Sequence, residues 1–517
     1  MATSSLPDAC RRIDDTRVSI TTPHDVPVTL FAGSDVPIEA AAVAELSQFL
    51  SLRGTLDTLT HAEREGRIGP FWGDTPGSIE RVVLTPDFHK GSGIPVGTVV
   101  DARGMVLPRA VGNDVCCGMR LLVTDLHRDD VLAHLPALER RLRALYFEGQ
   151  RDIPMSPRQR ESLLRHGLAG LVDTASDNRG QGAWLDYDER QQRDDLARAH
   201  LGGSLPTRGT FAFDAFIRAS GSSSGRDPQI GSIGGGNHFV EVQSVEDLLD
   251  GPTAHAWGVR RGQVALMIHT GSVGLGHLVG GHFDDVARSI YPATLPAPPA
   301  GFYPLPTTGP LAGHAAAYLD AMNNAANFAF GNRLFLGLIA VRALREAVGR
   351  PVASRLVYDA PHNLIWAQGN GQFVHRKGAT PALGIDPHGG PFAYTGRPVI
   401  IPGSMGASSF LLAGEGSDEA LCSACHGAGR QIARGQAAHA DDESARRDLG
   451  RLRIVTPIDP ASPKLRGRTD ILARHHQRLK EEAPAAYKPI APVINSVARA
   501  GIARPVARLW PLVTVKG

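Results

Sequence analysis

The sequence predicts an α+β fold, a single large domain of mixed β-sheets with helices around them and functional groups presented at strand ends. Three observations predict it. Short β-branched runs broken by Gly and Pro fill residues 81 to 124, the pattern of consecutive strands and tight turns. Stretches with helically spaced apolar residues interrupt the strands at 129 to 146 and 315 to 348. There is no internal repeat, and no stretch cleanly separates autonomous domains.

No element is assigned to the first 70 residues. After the strands of 81 to 124, residues Val131, Leu132, Leu135, Leu138, Leu142 and Leu145 have the spacing of one helix face. The polar stretch 151 to 230, ending in SGSSSGR, reads as surface helices and connections. Strands return at 237 to 243 (NHFVEVQ) and 263 to 269 (QVALMIH). Seven prolines between 291 and 310 exclude a helix interior and a central strand, which leaves a long loop. Behind it, 315 to 348 is a long helical tract, with a break expected near Gly331 or Gly337. Further strands are expected at 354 to 359 and 397 to 402, and a helix through 426 to 437.

At 517 residues, with 42% hydrophobic and 21% charged, the chain has the apolar mass for a large core, so disorder as a whole is excluded. A net charge of +2 means that a nucleic-acid partner must be held by a local basic groove and not by the field of the whole protein. The start, MATSSLPDACRRIDD, lacks the apolar core of a leader, and the longest apolar run, LFLGLIAV at 334 to 341, is far short of the roughly 20 residues of a membrane span. Five cysteines, Cys10, Cys116, Cys117, Cys422 and Cys425, are too few for a disulfide framework and fit a reducing compartment. A cytoplasmic protein is the expectation.

Chemistry concentrates where strand-like runs meet glycines. Five such joins carry a metal-capable side chain: GNDVCCG (112 to 118), GGGNHF (234 to 239), MIHTGSVGLGH (267 to 277), YDAPHN (358 to 363) and CHGAGR (425 to 430). Strand ends beside glycine turns are where a rigid scaffold presents functional groups, and glycine lets backbone come close to a phosphate. A lone histidine of this kind is more often a hydrogen-bonded structural residue, and Cys116 and Cys117 also read as small buried hydrophobes. By chemistry alone, one thiolate, one carboxylate and two or three imidazoles suggest a zinc site. Cys422-x-x-Cys425-His426 is also the spacing of a c-type haem attachment, although a reducing compartment argues against it. There is no Gly-Lys dipeptide, hence no P-loop, no strand followed by G-x-G-x-x-G, and no Lys-x-Asp-Gly. A nucleotide-activating enzyme of this sequence needs a nucleophile other than that lysine.

The stretches PDFHKGSGIPVGTV, VGNDVCCGMRLL, GGGNHFVEV, HTGSVGLGH, AMNNAANFAFGNR, YDAPHN, VHRKGAT, PGSMGASS, HGAGR and AGIARPVARLWPLVTVKG resemble the RtcB family of RNA ligases, in the family's order from about residue 80 to 517. The resemblance implies one ligase domain over 1 to 517, with 1 to 70 divergent. It implies GTP- and Mn²⁺-dependent joining of an RNA 3′-phosphate or 2′,3′-cyclic phosphate end to a 5′-hydroxyl end, in tRNA splicing or RNA repair. The resemblance further implies archease as a helper protein, and a monomer is expected. Carried over motif by motif, Asp114, Cys117, His238, His269 and His362 are implied to ligate two metal ions, and His426 to become guanylylated. The cysteines of CSACH are then incidental. The implied nucleotide contacts are Asn237, Phe239, Val240, Glu241, Asn363, Pro402, Gly403, Ser404, Met405, Ser409, Gly427, Ala428, Gly429, Tyr487 and Lys516. Glu241 suits a guanine N1/N2 edge and Tyr487 and Lys516 the base. Arg430 and Arg434, four apart on the expected helix, suit phosphate.

Three positions depart from the family pattern. Val273 replaces the arginine of HTGSRG, Lys90 stands where an aromatic is common, and Pro381 where arginine usually continues VHRKGAT. A lost charge-assisted phosphate contact costs roughly 1.5 to 3 kcal/mol if nothing substitutes. These departures keep a second function in view: a metal-dependent phosphohydrolase on RNA ends that has lost ligation.

Overall fold

Strand Gln263–Thr270 is buried throughout: Val264, Leu266 and Ile268 enter one apolar core, and Ala265 and Met267 another. That is the period-two alternation of a strand covered on both faces. The computed structural model describes residues 6–211, 216, 230–432 and 452–517. This strand lies inside an eight-stranded sheet ordered Ser354–Pro361, Gly118–His127, Gln263–Thr270, Phe239–Leu248, Ala503–Val515, Ser409–Gly414, Pro398–Ile401, with Arg453–Val455 parallel beside Ala503–Val515. All its other pairings are antiparallel.

A seven-stranded sheet runs Cys10–Arg12, Arg17–Ile20, Val28–Phe31, Ser78–His89, Val96–Arg103, Gln372–Lys377, Asn363–Gly369. The expected mixed-sheet α+β architecture is therefore observed. The first 70 residues, to which the sequence assigned nothing, extend this sheet by three strands and back it with helices Ala40–Leu50 and Leu52–Arg64. Their Leu46, Phe49, Leu56 and Leu59 share a core with Leu84 and Phe88. Strand Ser354–Pro361 passes directly into Asn363–Gly369, so His362 marks the join between the two sheets.

Four expectations need correction. The long helix runs unbroken from Ala312 to Val348. Its glycines are packing sites and not breaks: a Cβ on Gly331 would lie 2.8 Å from Leu163, and one on Gly337 3.2 Å from Leu122. Close approach to a helix and to a sheet outweighs the cost of about 1 kcal/mol for each glycine. The second correction concerns 151 to 230, where helix Pro157–Thr174 is no surface element. Its Leu163, Leu164, Leu168 and Leu171 are buried in the same core as Phe328, Leu334 and Phe335 of the long helix. Third, 426 to 432 is not helical, and 433 to 437 lie outside the described residues. The helix expected at 129 to 146 is two, Arg128–Leu132 and Leu135–Phe147, the second with Pro136 in its first turn, where a missing N–H costs nothing. The proline-rich stretch 291 to 310 is a loop apart from a single helical turn and the short strand Leu305–Pro306. Among the described residues, no helix is long and apolar enough to cross a membrane.

Candidate active site

Antiparallel pairing brings the distant motifs together. Gly118 begins one strand opposite both Pro361 and Thr270, which end theirs, and Phe239 begins another opposite His269. Cys117, His238, His269 and His362 therefore sit at one end of four neighbouring strands. Two backbone bonds tighten the join: Cys116 N–H donates to Asn363 O at 2.7 Å, and His362 N–H to Cys117 O at 2.7 Å.

The functional atoms converge to bonding range. Cys117 Sγ lies 3.2 Å from His238 Nε2 and 3.3 Å from His269 Nε2. His269 Nε2 is 3.3 Å from His362 Nε2, and Asp114 Oδ2 is 2.8 Å from His238 Nε2. These atoms form two triads that share the thiol, Cys117–His269–His362 and Asp114–Cys117–His238, each with its ligand atoms within 4.8 Å of one another. Backbone carbonyls set the tautomers. His238 Nδ1 donates to Ile233 O at 3.0 Å and His269 Nδ1 to Asn237 O at 3.2 Å, which turns each Nε2 lone pair toward the cluster. Burial holds His269 and His362 well below the usual imidazole range and so neutral. Burial alone would raise the Asp114 carboxyl, but His238 outweighs it and holds Asp114 below its ordinary value. Burial and the Asp114 charge raise the Cys117 thiol, so cation binding there would release a proton. Soft thiolate, imidazole and carboxylate in two overlapping sets fit a pair of divalent transition-metal ions.

His426 stands 4.7 Å from His362 between ring centroids. Its Nδ1 faces two acceptors, Gly378 O at 2.9 Å and Asp87 Oδ2 at 2.7 Å. Nδ1 therefore carries the proton and Nε2 keeps a lone pair. Burial alone would raise the Asp87 carboxyl, but hydrogen bonds from His426 and Thr85 hold it below its usual value. The chain cannot coil at 426 because it runs against Asp87: a Cβ on Gly429, at φ 75°, would lie 2.3 Å from Asp87 O. Asp87, fully buried, is missed by sequence reasoning; it sits mid-motif in PDFH with no metal-like spacing.

A cavity of about 280 Å³ opens beside these groups. Asp114, Cys117, Asn237, Phe239, Glu241, His269, His362, Asn363, Pro402, Gly403, Ser404, Met405, His426, Gly427, Ala428, Gly429, Arg430, Tyr487 and Lys516 line it. His238 joins the cluster without lining the cavity. Val240 points the other way, into the core, as strand alternation demands. Ser409 supports the wall from behind: its hydroxyl accepts from Gln243 Nε2 at 3.0 Å and from Gly403 N–H at 3.3 Å. Arg430 spends its donors locally. It donates to Glu481 O at 2.7 Å and to the Tyr487 hydroxyl at 3.0 Å, and stacks on the Tyr487 ring at 4.9 Å. Arg434 lies outside the described residues. Thr514, Glu482, His89, Val96, Lys377 and Gly378 also line the cavity, and sequence reasoning singled out none of them. Glu241 is clasped by Thr514 Oγ1 at 2.5 Å and Gln243 Nε2 at 2.5 Å, and Lys516 Nζ donates to Gly236 O at 2.6 Å. Cys422 and Cys425 do not line the cavity; Cys425 is buried on strand Ser423–Cys425.

Val273 opens helix Val273–Ile290 with φ 49°, a conformation that a β-branched residue adopts only under strain. Val273→Gly is expected to stabilise the protein by about 1 kcal/mol, read as a higher denaturant midpoint at unchanged slope.

A buried donor cluster and an oriented imidazole beside a cleft are the features of an enzyme, and the comparisons with known proteins give the same class. The family model described as tRNA-splicing ligase RtcB matches residues 73–517. The RNA-splicing ligase RtcB of Mycobacterium tuberculosis is 36% identical over 458 residues, covering 86% of this chain and 98% of that protein. The tRNA-splicing ligase RtcB of Thermococcus kodakarensis is 34% identical over 463 residues, covering 86% of this chain and 89% of that protein. That of Archaeoglobus fulgidus is 32% identical over 470 residues, with the same coverages. The chain belongs to the RtcB family of RNA ligases.

Proposed function

We propose that this enzyme joins RNA 3′-phosphate or 2′,3′-cyclic phosphate ends to 5′-hydroxyl ends, using GTP and two Mn²⁺ ions and passing through a guanylylated His426. The observation that carries the reading is the orientation of His426. Its Nδ1–H is committed to Gly378 O, with the Asp87 carboxylate 2.7 Å from the same nitrogen, so the nucleophilic nitrogen is Nε2, in a ring that lines the cavity.

In the first step the Nε2–Pα bond forms as the bond from Pα to the β-phosphate oxygen breaks, and pyrophosphate leaves. The positive charge that develops on the ring is offset by the Asp87 carboxylate, without moving the Nδ1 proton. An RNA 3′-phosphate oxygen then takes the guanylyl group from Nε2, and the 5′-hydroxyl displaces GMP from the activated phosphate. Glu241, fixed by Thr514 and Gln243, offers acceptors to the guanine N1/N2 edge. Tyr487 and Lys516 face the base, and the 402 to 405 and 427 to 429 segments offer backbone to phosphate. Asp114, Cys117 and His238 would hold one ion and Cys117, His269 and His362 the other. When bound, these ions would offset phosphate charge and acidify a water for opening a cyclic phosphate. Archease as an activator, a monomeric state and a cytoplasmic location complete the proposal.

The phosphohydrolase reading rests on Val273, which removes a phosphate-binding arginine from the family pattern. One experiment separates the two. Protein is incubated with α-³²P-labelled GTP and Mn²⁺, and 3′-phosphate and 5′-hydroxyl RNA are then added beside a 5′-phosphate control. The ligase reading expects acid-labile label on the wild type, none on His426→Ala, and joined product only from the 5′-hydroxyl strand. End hydrolysis without label or joining selects the hydrolase.

A further inference from the structure

The family match begins at residue 73, yet a side chain from before that point holds a turn whose flanking residues line the cavity. Glu45, on helix Ala40–Leu50, is buried. Its two carboxylate oxygens take one backbone N–H each from the glycine-rich turn between strands Ser78–His89 and Val96–Arg103: Gly91 N at 2.6 Å and Gly93 N at 2.7 Å. The turn has little freedom to keep this shape with other residues. Gly93 sits at φ 83°, and a Cβ on Gly91 would lie 2.3 Å from Ile94 O. Successive N–H groups turned to one side make an anion-binding nest, and here the chain's own carboxylate fills it. Glu39, preceding the same helix, has its carboxyl raised by burial, with the Lys488 and Lys90 charges and the Lys90 backbone opposing this.

The turn is connected to the cavity. The strand before it ends in His89 and the strand after it begins with Val96, both lining residues. Ile94 O accepts from Lys377 Nζ at 3.1 Å, and Lys377 lines the cavity as well. Burial pushes the Lys377 ammonium down to about 8, and the Glu45 charge opposes that shift. Lys377 belongs to the seven-stranded sheet, whereas Glu241 and Thr514 of the proposed guanine end belong to the eight-stranded one. The lysine therefore comes to the cavity from a different sheet than the groups of the proposed guanine end.

We infer that helix Ala40–Leu50 is part of the active-site wall and that Glu45 is a positioning residue for RNA. Its carboxylate fixes the Lys90–Pro95 turn, whose Ile94 carbonyl in turn fixes the Lys377 ammonium where an RNA phosphate enters. The assignment of RNA to this wall rests on the ligase reading above. Glu45 itself touches no substrate. Glu45→Gln keeps the shape but presents an NH₂ group to one of two N–H donors, so the turn loses one clamp and a charge.

The test measures the two half-reactions separately on the full chain. Glu45→Gln is expected to raise the KM for 3′-phosphate RNA roughly tenfold, the scale of one lost charge-assisted hydrogen bond, while guanylylation by GTP without RNA falls less than threefold. Glu39→Gln moves the same KM in the same direction by a smaller factor, and serves if Glu45→Gln melts too low to assay. An unchanged RNA KM in a folded variant overturns the inference, and so does an equal fall in both half-reactions, the signature of general loosening. Hydrogen exchange supplies a readout independent of turnover. The Gly91 and Gly93 amides exchange slowly in the wild type and at least roughly tenfold faster in Glu45→Gln if the clamp exists; equal rates sink it. A wild type that takes no label from GTP counts against the ligase reading and leaves the exchange comparison to decide the clamp.

Discussion

Asp87→Asn is expected to slow guanylylation of His426 roughly 100-fold, the upper end of what a lost charge-assisted hydrogen bond supplies. The carboxylate does two things that an amide cannot do together. Its Oδ2 lies 2.7 Å from Nδ1, where it favours the Nδ1–H tautomer, and it carries the negative charge that offsets the ring's positive charge as the Nε2–P bond forms. If the asparagine NH₂ turns toward the ring, a donor meets Nδ1 and the tautomer that protonates Nε2 is favoured. If the carbonyl turns toward the ring, Thr85, which already reaches Gly97 O at 3.2 Å, can accept from the NH₂ and the geometry survives without the charge. Gly378 O at 2.9 Å keeps part of the preference for Nδ1–H in both cases, which is why the expected loss stops short of the roughly 10⁴-fold that a wrong tautomer costs elsewhere. The measurement is the single-turnover rate of labelling from α-³²P GTP, with the melting temperature recorded beside it. A rate within threefold of wild type in a folded variant would show that Asp87 does not act through His426.

The parts of this site that the sequence made legible are those whose signal is local. A strand that ends in a glycine turn beside Cys, His or Asp is visible one motif at a time, and antiparallel neighbours then bring Gly118, Thr270, Phe239 and Pro361 to a common edge. Asp87 gives no such signal: its partner is 339 positions away, and the intervening chain must fold before a carboxylate in an apolar strand becomes meaningful. Glu45 is hidden for the same reason, since a glutamate at the end of a helical turn looks solvated until Gly91 and Gly93 close on it. A break at Gly331 or Gly337 is what propensity alone predicts, because propensity counts only what a glycine loses in its own helix; Leu163 and Leu122 pressing against them supply the compensation. At 426 to 432 the error runs the other way. Residues compatible with a helix are held in extended and turning backbone by the Asp87 carbonyl under Gly429 and by the bridge from Arg430 to Tyr487.

Arg333 is expected to be the most costly single position behind the donor cluster. It is fully buried on the long helix and reaches the backbone on both sides of the site: Nη1 donates to Cys116 O at 2.7 Å and to Thr270 O at 3.0 Å, the residues that adjoin Cys117 and His269. Its Nε donates to Asp359 Oδ1 at 2.8 Å, and the other oxygen of Asp359 takes Arg120 Nη1 at 3.1 Å. Asp359 lies three residues before His362, on the strand that ends at Pro361. One guanidinium thus ties together the chain segments that carry three of the five donors. Arg333→Met removes the cation while keeping most of the volume, and it leaves two carbonyls short of a donor and Asp359 with Arg120 as its remaining partner. Removing one member of a buried ion pair costs about 3 to 5 kcal/mol, so the denaturant midpoint should fall by that amount divided by the slope. The donors should also lose register, weakening Mn²⁺ binding by roughly 10- to 100-fold, as for other groups that orient metal ligands; titration of the metal-free protein reads this without turnover. Normal Mn²⁺ affinity in a folded Arg333→Met would mean that the strands alone hold Cys117, His269 and His362 in place.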